Sequence, residues 1–194
     1  MRAWLALALV LPSIANAGGI GVMGTFGERT QTVYYYDSSS NNAQYRQGQI
    51  ITDFGAGIEF MLGDRDDHIT GLARAYWIQE GPEHDPSKGS TLDPNNIVAN
   101  WREEPRNIGI ATFGVNWGFL GDPNEWQLSV ITEMGSGFIT PDHTDFLLLQ
   151  GGPSFQYMIG PSLQFHADLV YGAHVRKQIQ HGGNAYIGVR WLFD

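Results

Sequence analysis

From Gly19 to Phe193 the chain alternates, residue by residue, between large apolar side chains and small or polar ones. A period of two belongs to β-strands, whose successive side chains point to opposite faces. The alternation falls into eight runs: 19–28, continuing toward Tyr36, then 49–62, 68–78, 107–120, 125–138, 146–159, 163–174 and 185–193. Almost nothing between Gly19 and Phe193 follows the helical period, so an all-β chain is predicted.

The connections carry as much information as the strands. Tight turns stand at 63–67 (Gly-Asp-Arg-Asp-Asp), 121–124 (Gly-Asp-Pro-Asn) and 160–162 (Gly-Pro-Ser). Between them lie longer polar connections at 37–48, 79–105, 139–145 and 175–184. Long and short loops that alternate strictly predict an up-and-down barrel with its two ends in different compartments. No run approaches the ~20 apolar residues of a helical span, whereas each strand has about the length that a tilted strand needs to cross hydrocarbon. Ahead of this region, Met1–Ala17 reads as a secretory leader. It has one basic residue, an apolar stretch from Trp4 to Pro12, and Ala15-Asn16-Ala17 as the cleavage signal. The expected organisation is therefore a signal peptide at 1–17 and one barrel domain at 18–194.

Composition narrows the function classes. The chain has 20 acidic residues against 11 Lys and Arg, which argues against a nucleic-acid partner. Without Cys it has no disulfide, no thiolate metal site and no lipid-modified cysteine. Charged residues are only 16% of the chain, below the ~25% usual for soluble proteins.

Parity separates two faces. One collects Phe54, Ala56, Ile58, Phe60 and Leu62 on the second run, Ala111 to Phe119 on the fourth, and Ala185, Ile187, Val189, Trp191 and Phe193 on the last. The other is small or polar and sparsely charged, which suits a crowded lumen better than a wet surface. The apolar face is accordingly assigned to lipid. Aromatics on that parity gather beside the short turns (Phe60, Trp117, Phe119, Trp126, Phe155, Tyr157, Phe165, Trp191, Phe193), as expected at a membrane interface. Two positions strain the scheme: outward parity on the first run leads to Glu28, and Pro153 falls inside the sixth, where a bulge is expected to absorb it.

This pattern resembles the eight-stranded outer-membrane barrels of the OmpA and OmpX type, over essentially the whole chain after the leader. The most specific match is Gly188-Val189-Arg190-Trp191-Leu192-Phe193, which is similar to the terminal strand signal of that family; Asp194 departs from it by following the aromatic. The resemblance implies an eight-stranded antiparallel up-and-down transmembrane β-barrel in the bacterial outer membrane. It also implies contact with outer-membrane lipid and lipopolysaccharide, and recognition of Gly188, Trp191 and Phe193 by the barrel-assembly machinery.

An eight-stranded barrel encloses side chains rather than a channel. Inward parity supplies Asp53, Glu59, Arg74, Glu133, Asp168 and Arg190, with His166, Gln150, Gln156, Gln164 and Asn116. Glu59 with Arg74, and Arg190 with Asp168 or His166, are predicted cross-strand pairs in a rigid lumen network. A lipid-modifying enzyme is the alternative reading. Its candidates are His174 near the rim and His166 with Asp168 below it, with Ser129 and Ser136 as the nearest inward hydroxyls. The His residues at 84, 143, 174 and 181 lack metal-ligand spacing, and no cofactor fingerprint is present. The connection 79–105, from Gln79 to Pro105, is long enough to suggest a surface partner, with Trp101 either a contact residue or packed on the barrel rim. Arg102, Arg106, Arg176 and Lys177 are placed to meet lipopolysaccharide phosphates, either directly or, since loop acids are at least as numerous, through bridging divalent cations. The favoured function is a non-enzymatic barrel serving envelope integrity or surface contact through its outer loops. A soluble periplasmic barrel with an apolar interior is the third reading.

Overall fold

A computed structural model describes residues 18–37, 42–64, 66–81, 105–140, 144–175 and 179–193. The eight strands are β1 (Gly18–Asp37), β2 (Asn42–Leu62), β3 (Ile69–Glu80), β4 (Arg106–Asp122), β5 (Trp126–Thr140), β6 (Thr144–Met158), β7 (Leu163–Val175) and β8 (Ile179–Phe193). Each pairs antiparallel with its neighbours in sequence, and β1 pairs with β8, from Gly18 opposite Phe193 to Thr30 opposite His181. The sheet is a closed barrel, so along the closed wall every strand has a partner on both sides and no edge is left open.

The turns form where the residues demand them. Gly63 and Gly121 have φ of 111° and 95°, a region that a Cβ disfavours, and each opens a tight turn. The first two turns are also tied to each other, since the Asn124 amide donates to Asp66 Oδ1 at 2.8 Å.

Several strands run further than the sequence suggests. β1 and β2 pair as far as Asp37 opposite Asn42, so most of the connection read at 37–48 is strand, with a register shift between Thr30 and Thr32. β8 begins at Ile179 rather than Ala185, and β3 reaches Glu80. Polar residues such as Gln and Asn at strand ends look like loop in sequence, but a ladder partner holds them in the sheet. The leader at 1–17 and residues 82–104, with His84, Trp101 and Arg102, lie outside the described residues, as do Arg176 and Lys177. His143 is likewise outside them.

Pro153 needs no bulge. The β5–β6 register runs unbroken through Val130 opposite Pro153. On the other side the β6–β7 ladder opens between Gly151 and Ser154 and resumes in the same register. The proline therefore opens a local gap in one ladder without shifting the sheet. The irregularity in this half of the barrel falls instead between Gly118 and Leu120, on β4.

The faces separate as parity predicts. Val22, Phe26, Phe54, Phe113, Trp117, Leu169, Ile187 and Trp191 are all exposed on the outer wall, and Glu28 follows them outward. The charged set Asp53, Glu59, Arg74, Glu133, Asp168 and Arg190 is buried inside. A soluble barrel would require the reverse. Ser136 is a correction: Ser129 faces inward, but Ser136 is exposed on the outer wall. Seven residues apart on a strand without a bulge between them, the two must lie on opposite faces.

Candidate functional site

The lumen is built in tiers. The lower ionic tier centres on Arg74 of β3, whose three guanidinium nitrogens reach three different acids. Nε donates to Glu59 Oε2 at 3.2 Å, Nη1 donates to Glu133 Oε2 at 3.1 Å, and Nη2 pairs with Asp168. Glu59 and Arg74 are opposed in the β2–β3 ladder, so this predicted pair forms. Arg190 departs from its expected partners on β7. Its Nε donates to Glu59 Oε1 at 2.8 Å and Nη1 donates to Gln164 at 3.0 Å. It reaches β2 by passing over β1, where Gly21 offers no side chain. A Cβ there would meet Arg190 Cγ at 2.8 Å and Glu59 Oε1 at 3.0 Å.

His166 lies between acids: Nε2 is 2.5 Å from Glu59 Oε1, and Nδ1 is 3.2 Å from Asp168 Oδ2. Ser154 Oγ donates to Asp168 Oδ1 at 2.6 Å. A serine, an acid and a histidine thus meet, but in an order that does not activate the serine. Its proton goes to the carboxylate, whereas a nucleophile must give it to the imidazole. All three are buried in the lumen, away from the lipid-facing wall.

Above this tier the lumen becomes aromatic and aliphatic. Tyr76 and Tyr186 meet edge to face at 5.5 Å with their hydroxyls 3.0 Å apart. Gln150 donates Nε2 to the Tyr186 hydroxyl at 3.1 Å and to Glu133 at 2.7 Å. Arg74 lies 4.8 Å over the Tyr186 ring, which joins the charge to the aromatic layer. Met23, Ile78, Ile108, Ile110, Phe146, Leu148 and Val170 complete this plug.

A second ionic tier closes the end nearest the long connections. Arg29 pairs with Glu80 and lies 3.2 Å from Asp53, and its Nη1 donates to His174 Nδ1 at 2.7 Å. Arg106, read in the sequence as facing lipopolysaccharide phosphates, is half-buried and pairs with the other oxygen of Glu80. His174 is buried and stacks on Phe146 at 4.6 Å. It stands six residues above Asp168 on the same strand, about 20 Å away at ~3.3 Å per residue. The rim histidine and the His166–Asp168 pair are thus in separate tiers and do not form one site.

Arg29, Glu80, Tyr76 and Ser154 were absent from the candidates read in the sequence. Parity reveals the first two once β1 and β3 are continued a few residues, because each keeps the inward phase of its strand. Gly188 is buried against His166 and Met23, with Trp191 and Phe193 on the outward phase. Among the described residues, no three His, Asp or Glu side chains are placed to hold a metal ion.

Closed, up-and-down, ionic within and apolar without, the chain has the architecture of a small transmembrane β-barrel of the outer-membrane kind. No protein-family model and no curated protein matches the sequence. Among solved structures it is similar to Ail, the attachment invasion locus protein of Yersinia pestis, with 12% identity over 91% of this chain and 98% of that one, TM-score 0.47. It is also similar to Neisserial surface protein A, with 11% identity over 90% and 97%, TM-score 0.48. The outer membrane protease OmpT of Escherichia coli is more distant, with 8% identity over 92% and 97%, TM-score 0.40. These are likenesses of architecture; the barrel assignment rests on the strand pairing.

Proposed function

We propose that the protein is an outer-membrane barrel without catalytic function, a rigid anchor that presents its outer loops for surface contact and supports envelope integrity. The observation that carries this reading is the β1–β2 ribbon. Its rungs from Thr32 opposite Gln47 to Asp37 opposite Asn42 lie beyond the last β8 rung at Thr30 and the last β3 rung at Asp53. A ribbon standing clear of a plugged barrel offers its backbone to a partner outside the membrane. Gln79 and Pro105, the two ends of the connection 79–105, lie at the same end of the barrel. In this reading 1–17 directs export, and Gly188, Trp191 and Phe193 serve recognition by the assembly machinery.

Excising residues 32–47 tests it. The shortened chain should still resist dodecyl sulfate when cold and shift mobility on boiling, while cells carrying it lose surface attachment or become sensitive to detergent. A steady large conductance of the intact chain in planar bilayers, or a change in lipid A or phospholipid masses when the gene is removed, would overturn the reading.

A further inference from the structure

The outer wall has a groove of about 420 Å³ that crosses from β7 over β8 and β1 to β2. Phe26, Ile50, Leu169 and Ala185 wall it, Gly183 lies at its floor, and Glu28, opposite Gly183 in the β1–β8 ladder, borders it. Glu28 is exposed on the lipid-facing parity, ten residues above Gly18. At ~3.4 Å per residue and a tilt near 40°, that is roughly 26 Å, the height of the apolar belt of such barrels. The groove thus opens at the outer edge of the belt, on the side of the long connections. On the four strands around it, up to the last β1–β8 rung at Thr30, Glu28 is the one Asp, Glu, Lys or Arg on that parity, and among the described residues none pairs with it.

A charge beside hydrocarbon is costly and calls for a partner. The lipid expected on this side, lipopolysaccharide, carries phosphates, which repel a carboxylate. The two anions meet only through a cation, and a monovalent ion would cancel just one of their charges. Magnesium and calcium have charge for both, and both take carboxylate and phosphate oxygens. We propose that the groove seats one acyl chain of a lipopolysaccharide while Glu28 and a phosphate of that lipid share a divalent cation. Either ion takes about six oxygens or more, so one carboxylate does not hold it alone, and ion and lipid bind together. Where the sequence points to basic residues of the loops as the lipopolysaccharide contact, the wall points to an acid. The assignment rests on the membrane placement proposed above and adds the site and the ion.

The full chain, folded in an uncharged micelle and stripped of lipid, is titrated with lipopolysaccharide or with phosphatidylglycerol, each with magnesium and with a chelator, and native mass spectrometry reads the occupancy. One lipopolysaccharide per chain is expected, held about tenfold more tightly with magnesium than without, the value of one charge-assisted contact. Glu28→Gln should lose the magnesium dependence. Glu28→Lys should bind in the chelator as tightly as the wild type binds in magnesium, because an ammonium meets the phosphate directly. Gly183→Leu should weaken binding under both conditions, because a Cβ at Gly183 has only the Val170 carbonyl near it, at 3.8 Å, and the longer side chain fills the groove. The cold-against-boiled mobility shift certifies each variant as a closed barrel. Magnesium dependence that survives in Glu28→Gln, a Glu28→Lys chain that still needs the ion, unweakened binding in Gly183→Leu, or equal retention of phosphatidylglycerol would overturn the proposal and leave the membrane placement intact. Failure of the wild-type chain to close in micelles would overturn both.

Discussion

Arg74 and Asp168 pair across the full width of the barrel, from β3 to β7, four strands away in either direction around the wall. A charge pair between opposite staves holds the cross-section at a fixed diameter, and the same guanidinium also holds Glu59 and Glu133.

Replacing Arg74 by leucine leaves three buried carboxylates short of their shared cation. Removing one partner of a buried ion pair costs about 3–5 kcal/mol, and this arginine serves three. Denaturant unfolding in micelles should show at least that loss, with the cold-resistant band weakened. Adding Asp168→Asn should restore part of it, so the two losses will not sum.

Tyr186→Phe removes a hydroxyl that meets Tyr76 and Gln150 but keeps the ring under Arg74. A loss of about 1–3 kcal/mol is expected, because buried polar groups are left without partners. Replacing both tyrosines by phenylalanine should cost less than the two single changes added together. Equilibrium unfolding of the four proteins measures the difference.

The outer wall supplies a test of its solvent. Val22 is 59% exposed, four residues above Gly18 and opposed by Ile58 and Val189. In water an arginine there would change little. In lipid Val22→Arg should cost about 2–4 kcal/mol, whereas Ile179→Arg near the rim should cost about 0–1. Unfolding from vesicles reads both, and equal small effects would contradict a lipid-facing wall.

Gly188→Val tests close packing inside the wall. A Cβ there would meet His166 Nε2, the Val22 carbonyl at 2.5 Å and Met23 Cβ at 3.0 Å. Two of those atoms cannot turn away as a side-chain tip can. The variant is expected to lose its closed form, as seen by the absence of a heat-dependent mobility shift, while Gly160→Val, with nothing within 4 Å of the added carbon, should retain it.

Which residues face the lumen was largely legible from phase. Glu59, Arg74, Glu133, Asp168 and Arg190 all obey it because a strand offers only two faces. Their partners were less legible. Parity names a face but not which of the other staves a long side chain crosses to, so Arg190 reaching Glu59 over Gly21 depends on a glycine of the strand between them, opposite both in the ladders yet far away in sequence. The upper tier was hidden for another reason. Arg29 and Glu80 lie just past the points where apolar alternation fades, and pairing with a neighbour keeps them in strand where composition suggests a loop. Ser136 was grouped with Ser129 as inward by parity, although a spacing of seven residues puts the two on opposite faces.

Seven of the eight strand junctions join neighbours in sequence, and the eighth, between β1 and β8, joins segments some 160 residues apart. That seam forms with no connecting turn to align it, and the loop-closure entropy it must overcome is the largest in the molecule. Arg190 sits on one side of it and Glu59 beyond the other, so their hydrogen bond can form only once the ring is shut. The lumen pair therefore acts as a latch: it contributes nothing to the open sheet, everything it is worth arrives with closure, and it works against reopening along the seam from the moment the last strand docks.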